Sequence, residues 1–257
     1  MYDAAIRRSA LEAMQSGLSL SDVSRRTGVS RAALKEWRRT GGARATRTSA
    51  ANPDCMRCDS AARSPTTGQA YAYLLGQYLG DGCLGAFPRG VWSLRIACGD
   101  AWPGIKEECI SAIMAVHPGG KVFEVRDQGC VQVTSLWKHW ICHFPQHGRG
   151  RKHERTIALE PWQHDLVVEH TGRFLRGLFH SDGCRFTNRV AYRHRAGVRE
   201  YAYPRYSFDN RSSDILTLCG SALDRLAIPW RYAKPTTISV ARREAVAALD
   251  RIVGPKY

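Results

Sequence analysis

The chain has 257 residues, 44% apolar and 24% charged, which suits one large core or two modest domains with a small module. Its 38 Lys and Arg against 23 Asp and Glu leave a net charge of +15, pointing to a polyanionic partner, either nucleic acid or an acidic membrane surface. No apolar run approaches the roughly 18 residues of a membrane span, the N-terminus lacks a signal-peptide core, and nine scattered cysteines fit reduced thiols, so a cytoplasmic, nucleoid-associated location is expected.

Residues 1–42 read as three short helices. Asp3 can cap the first, which carries Ile6, Ala10 and Met14 on one stripe and stops at Gly17. Ser19 caps the second, with Asp22 three residues on, and Thr27-Gly28 breaks it. The third follows Ser30 and ends before Gly41-Gly42, and Val29, Leu34 and Trp37 are expected inside. A tight Gly-containing turn between two such helices is the pattern of a helix-turn-helix. The segment resembles those of transposases and resolvases, in which the third helix enters the major groove. Ten Lys and Arg against four acids in the first 50 residues agree with DNA binding, through Arg31, Lys35, Arg38 and Arg39. A helical bundle with a solvated basic face, or a protein-docking domain, is the alternative.

Residues 43–69 shift to Gly, Ala, Ser, Thr and Pro, the composition of a flexible linker. Within it, Cys55 and Cys58 make one CxxC. A structural zinc site wants four ligands, usually from two such pairs, and the chain has no second one. A solvent-exposed pair of reduced thiols, or half of a degenerate zinc knuckle, is the favoured reading; zinc at Cys55/Cys58 would need ligands from further along the chain or from another molecule.

Beyond residue 70 the chain repeats itself. Leu74-Leu75-Gly76-Gln77-Tyr78-Leu79-Gly80-Asp81-Gly82-Cys83 is echoed by Leu175-Arg176-Gly177-Leu178-Phe179-His180-Ser181-Asp182-Gly183-Cys184. Each is an apolar helix end with small residues four apart (Gly76 and Gly80, Gly177 and Ser181), a spacing that clears one face for close approach of another backbone. If the two helices pack through those faces, Asp81 and Asp182 meet at helix C-termini, where the macrodipole is negative. Two carboxylates there ask for a divalent cation, while Cys83 and Cys184 are expected in the core.

The elements around the two stretches repeat as well. In residues 70–145 the motif helix precedes a hairpin turning at Pro88-Arg89-Gly90, a helix opened by Pro103, a hairpin turning at Asp127-Gln128-Gly129, and a helix containing Leu136, Trp140 and Ile141. A basic connector spans 146–170, whose Gly-rich start is either a tether that touches phosphates or a solvated loop. In 171–257 the same order returns: strands around Arg189 to Arg195 and Glu200 to Asn210, a helix capped by Ser213, a hairpin turning at Lys234-Pro235, and a helix from Arg242 to Val253. Helix, hairpin, helix, hairpin, helix occurring twice argues for an α+β domain with a pseudo-twofold axis between the motif helices.

The paired stretches resemble the two motifs of the single-chain LAGLIDADG homing endonucleases over residues 70–257, matching at the first Leu, the central Gly and the closing Asp-Gly; Leu79 and His180 replace the pattern's first Asp. The resemblance implies αββαββ(α) half-domains with saddle-shaped antiparallel sheets and a monomer acting on double-stranded DNA. It implies Mg2+ or another divalent cation held by Asp81 and Asp182 with backbone oxygens of Gly80 and Ser181. It also implies a basic residue from each half beside the reaction, for which Lys138 and Lys234 are the candidates. DNA contacts are expected from the hairpins: Arg95 in the first half, and Arg189, Arg193, Arg195, Tyr201, Tyr203 and Arg205 in the second, with Tyr206 and Phe208 packing inward. Hydrolysis of phosphodiester bonds is the expected activity. The alternative is a non-cleaving regulator built on a helix-turn-helix and the same scaffold; a membrane-surface or RNA-binding protein would explain the charge but not the repeat.

Overall fold

The computed structural model describes residues 4–39, 52–194, 197–254 and 256. The chain divides into two compact units, Met1–Ala50 and Ala51–Tyr257.

The first unit contains α1 (Ala4–Gln15), α2 (Leu20–Thr27) and α3 (Arg31–Arg39). The Ser19 hydroxyl accepts the Asp22 amide at 3.2 Å, and Gly28 closes α2 at φ +68°, which an L side chain adopts only with strain. Ala10, Val23, Val29, Leu34 and Trp37 form the core. Ile6, expected on the buried stripe, is 39% exposed, and α1 is held instead by residues toward its C-terminal end, Ala10, Leu11, Ala13 and Met14. Asp3, the expected cap of α1, lies outside the described residues.

The second unit is α+β. Its first half runs α4 (Pro65–Asp81), β1 (Gly82–Ala86), β2 (Trp92–Gly99), α5 (Pro103–Val116), β3 (Val122–Asp127), β4 (Cys130–Trp137) and α6 (Trp140–His143). After α7 (Pro161–Glu169), its second half runs α8 (Thr171–Ser181), β5 (Gly183–His194), β6 (Gly197–Asp209), α9 (Ser213–Arg225), β7 (Arg231–Lys234), β8 (Thr237–Val240) and α10 (Arg243–Val253). The two antiparallel sheets have equivalent strand orders, β1-β2-β4-β3 and β5-β6-β8-β7. The duplicated element order read from the sequence is therefore present. Two details differ: Leu136 belongs to β4, leaving α6 a single turn, and the cap of α9 is Ser212.

Ser64 caps α4 by accepting the Thr67 amide at 3.3 Å, with Pro65 at the first helical position. Every residue from Tyr71 to Leu79 is buried, so α4 is a core helix covered on all sides. Tyr78 stacks on Phe144 at 4.2 Å, and the Tyr71 hydroxyl donates to the His143 carbonyl at 2.6 Å, tying α4 to the end of the first half.

The expected flexible linker is folded from residue 52 onward. Cys55 and Met56 are fully buried in the main core, Arg57 pairs with Glu160 at 2.9 Å, and α4 begins at Pro65 rather than near residue 70. Small and polar composition suggested mobility, but two buried side chains and an ion pair to a distant segment hold this stretch. Among the described residues no helix is long and apolar enough to cross a membrane.

Candidate active site and nucleic-acid interface

α4 and α8 touch through the small residues. A Cβ on Gly76 would lie 2.5 Å from the Phe174 carbonyl oxygen and 2.7 Å from the Leu178 nitrogen, and one on Gly177 would overlap the Tyr73 carbonyl. A Cβ on Gly80 would overlap the Ser181 side chain and lie 2.9 Å from Asp182 Oδ2. Only hydrogen at these Cα atoms lets the helices approach this closely.

That approach brings Asp81 and Asp182 into one another's field at the helix C-termini. Burial first, then the Asp182 charge, pushes the Asp81 carboxyl up to about 6. Burial also raises Asp182, against the hydrogen bond from Asn210 Nδ2 to its Oδ2 at 2.7 Å and the charges of Lys152 and Lys256. Asp81, at the end of α4, is exposed as a residue although its carboxyl feels the surrounding protein, and Asp182 is half-buried. A cleft of about 620 Å³ opens over Asp182, lined by Gly80, Lys152, Asp182, Asp209, Asn210 and Arg211 among others.

The cations acting on this pair are not those read from the sequence. Lys138 is exposed beside His139 at the end of β4, and Lys234 is exposed at the end of β7; the lysine charges felt by both carboxylates are those of Lys152 and Lys256. Lys152 comes from the connector between the halves. Its ammonium donates to the Gly80 carbonyl at 2.8 Å and to the Tyr78 carbonyl, and burial pushes its pKa down to about 8 against the pull of Asp182 and Asp81. Lys256 follows α10, donates to the Gly183 carbonyl, and is likewise lowered by burial. The only sequence signal for Lys152 was the basic character of its loop, and Lys256 had none, because both reach the acids through tertiary folding.

The two departures from the motif have structural places. Leu79 is fully buried in the core. Burial, then the Arg176 charge, pushes the His180 imidazole down to about 4. Its Nε2 faces the Val253 carbonyl at 3.0 Å, which can only accept, so the neutral ring carries its proton there. Nδ1 then accepts from the Tyr73 hydroxyl at 3.1 Å. Nearby, Arg176 Nε donates to both carboxylate oxygens of Glu108 at 2.9 Å, tying α8 to α5. Cys83 and Cys184, expected in the core, are exposed: Gly82 and Gly183 take the inward strand positions, so alternation turns the cysteines outward.

The long β5–β6 hairpin pairs from Gly183↔Phe208 to His194↔Gly197, whereas β8 covers only Tyr206 to Asp209 of β6. The remainder is a two-stranded ribbon, and the expected DNA-contacting residues divide between its faces. Opposed residues of an antiparallel pair share a face, so Phe186 with Arg205, Asn188 with Tyr203, and Val190 with Tyr201 lie on one side. Arg189 and Arg193 lie on the other, the side on which Tyr206 and Phe208 enter the core, and both arginines are exposed because the ribbon outruns its cover. The first side exposes Phe186, Val190, Tyr192 and Tyr201, an apolar and aromatic surface on a basic ribbon. Arg205 Nε donates to Ser239 Oγ at 2.7 Å, and Asn188 Nδ2 donates to the Tyr203 hydroxyl at 2.8 Å. Arg195 lies outside the described residues. In the first half Arg95 is exposed on β2 opposite Cys83. On α3 of the helical unit Arg31, Lys35 and Arg38 are exposed, and the side chain of Arg39 is outside the described residues.

No family model matches the chain, and no curated protein matches it. Among solved structures it is similar to the N-terminal LAGLIDADG domain of DUF199/WhiA, with 13% identity and a TM-score of 0.47 over 76% of this chain and 86% of that one. It is also similar to I-DmoI in complex with DNA and manganese (12% identity, TM-score 0.47, 74% of this chain and 99% of that one). A third similar structure is the LAGLIDADG meganuclease I-AabMI bound to uncleaved DNA, with 12% identity and a TM-score of 0.45 over 71% of this chain and 82% of that one. At these scores the functional reading of the site rests on the chain's own residues.

Proposed function

We propose that the chain is a site-specific DNA endonuclease that hydrolyses phosphodiester bonds with a divalent cation, acting as a monomer whose halves are related by a pseudo-twofold axis. One observation carries the reading: Asp81 and Asp182 sit at adjoining helix ends close enough for the Asp182 charge to raise Asp81, both are raised by burial, and a solvent-open cleft reaches Asp182. The two carboxylates and the Gly80 carbonyl are hard oxygen donors that fit Mg2+ or another divalent cation, and their mutual repulsion is what such an ion relieves. When bound, the ion supplies Lewis-acid polarisation of the phosphate and activation of water. Asn210 holds Asp182 in orientation through its 2.7 Å hydrogen bond. Lys152 and Lys256 offset charge on the phosphate, in the role expected for Lys138 and Lys234. The basic ribbon and Arg95 engage the duplex, and Arg31, Lys35 and Arg38 add phosphate contacts from the helical unit.

A second reading, a DNA-binding regulator that keeps the scaffold without cutting, draws on the same lysines. Two ammonium groups already balance the two carboxylates, and one of them is bonded to the Gly80 carbonyl. Incubating the full chain with a randomised duplex library and Mg2+ separates the two. The endonuclease reading expects cutting by the wild type that Asp81→Asn and Asp182→Asn both lose while binding persists. Specific binding with no cut by the wild type leaves the regulator.

A further inference from the structure

Away from the cleft, four metal-ligating side chains converge. The ligand atoms of Cys55, Cys58, His139 and Cys142 all lie within 4.8 Å of one another. Cys58 Sγ is 3.5 Å from His139 Nδ1, and Cys142 Sγ is 3.8 Å from the same nitrogen. Zinc bonds of about 2.3 Å to sulfur and about 2.0 Å to nitrogen in a tetrahedron give sulfur–nitrogen edges of about 3.5 Å and sulfur–sulfur edges of about 3.8 Å. The two sulfur–nitrogen distances are at or close to the tetrahedral edge, and the 4.8 Å limit on all the separations is the scale of a single ion's ligand shell.

We propose that Cys55, Cys58, His139 and Cys142 form a structural zinc site that staples the segment preceding α4 to the end of the first half. The donor set, three thiolates and an imidazole, is soft and closed, as structural zinc sites are, with no position left for substrate. Binding displaces one proton from each thiol and leaves the imidazole neutral, so the occupied site carries one net negative charge. Arg57, between the first two ligands, and Lys138, beside the third, supply positive charge next to it.

The backbone is arranged for this role. The Cys58 and Asp59 amides donate to the Cys55 carbonyl at 2.9 and 2.8 Å, forming the CxxC turn. His139 and Cys142 lie three residues apart at the start of α6, on one helical face. The His139 carbonyl faces His143 Nδ1 at 3.0 Å, which helps to hold that turn. The ligand pairs come from segments far apart in sequence, so one ion closes a long loop and its binding free energy becomes folding free energy. This gives residues 52–64 a second anchor besides the buried Cys55 and Met56, and it supplies the two ligands that the lone CxxC lacked.

The test is metal content and ligand field, measured on the full chain produced with added zinc and purified under reducing conditions. One equivalent of zinc should survive dialysis, and cobalt substitution should give the visible absorption of a tetrahedral thiolate site. Combining Cys58→Ser with Cys142→Ser should reduce zinc to background, while Cys130→Ser, outside the cluster, should leave it intact. Should the double variant not fold, His139→Cys decides: it should keep the metal and strengthen the thiolate-to-cobalt charge transfer by adding a fourth sulfur. Zinc absent from the wild type, retained by a folded double variant, or a cobalt spectrum unmoved by His139→Cys would overturn the site. So would a disulfide among these cysteines, seen as the loss of two hydrogens in the intact mass.

Discussion

Lys152 donates to the Gly80 carbonyl at 2.8 Å, one residue ahead of Asp81, so an ammonium from the connector rests on the backbone of the first motif. Its pKa, lowered by burial to about 8 from 10.5, sets two opposite pH dependences. Between those values the unfolded chain holds the proton and the folded chain does not, so this group makes stability rise with pH. The positive charge at the cleft is lost over the same window. DNA affinity and cleavage should therefore fall as pH rises through about 8 in the wild type. Lys152→Arg, which cannot deprotonate there, should flatten that fall, and Lys152→Met should be weak at every pH. Binding and rate profiles for the three proteins check this.

Asp81 has the opposite sign. Its pKa rises from 3.8 to about 6 on folding, so over that window the folded state holds the extra proton and stability falls as pH increases. At neutral pH the charged carboxylate is a net strain on the fold, and Asp81→Asn should raise the Tm by a few degrees while abolishing cleavage. Stability and activity moving apart in this way is the signature of a site kept for function. Calorimetry beside a cleavage assay tests it, and a lower Tm for Asp81→Asn would refute the account of its raised pKa. Wild-type cleavage should itself fall as pH drops through about 6.

The glycine packing between α4 and α8 should tolerate no methyl group. Gly177→Ala would drive a Cβ into the Tyr73 carbonyl, and overpacking of this kind costs about 1–3 kcal/mol. Gly172→Ala, in the same helix, would meet only Ile252 Cγ2 at 3.5 Å, an ordinary van der Waals distance. That variant should be neutral or gain up to about 1 kcal/mol from helix propensity. Denaturant unfolding of the pair distinguishes a close-packed helix face from mere glycine flexibility.

The helical unit makes a salt-dependence prediction. If Arg31, Lys35 and Arg38 meet phosphates, replacing all three with Ala should weaken DNA binding at every sequence. It should also reduce the slope of log affinity against log salt by about 0.9 for each phosphate that is no longer neutralised. An unchanged slope would assign these exposed cations to solvent.

Much of the fold was legible because its signals are local. The Ser19 cap, the Gly28 turn and the hairpin turns at Gly90 and Gly129 each depend on residues within a few positions of one another. The spacing of Gly76 and Gly80, echoed by Gly177 and Ser181, likewise encodes one helix face in a single segment, and the two faces meet as that spacing requires. From these alone the duplicated element order and the convergence of Asp81 on Asp182 could be read. Tertiary structure decided what surrounds them. Lys152 reaches Gly80 from a loop, Lys256 reaches Gly183 from beyond α10, and Cys58 meets His139 across most of a half. None of these pairs has a period or a local motif, because their proximity arises only when separate elements bury their apolar faces together. The same cause reversed three expectations: Cys83 and Cys184 turn outward by strand alternation once Gly82 and Gly183 face the core, and residues 52–64 fold because Cys55 and Met56 find a core to enter.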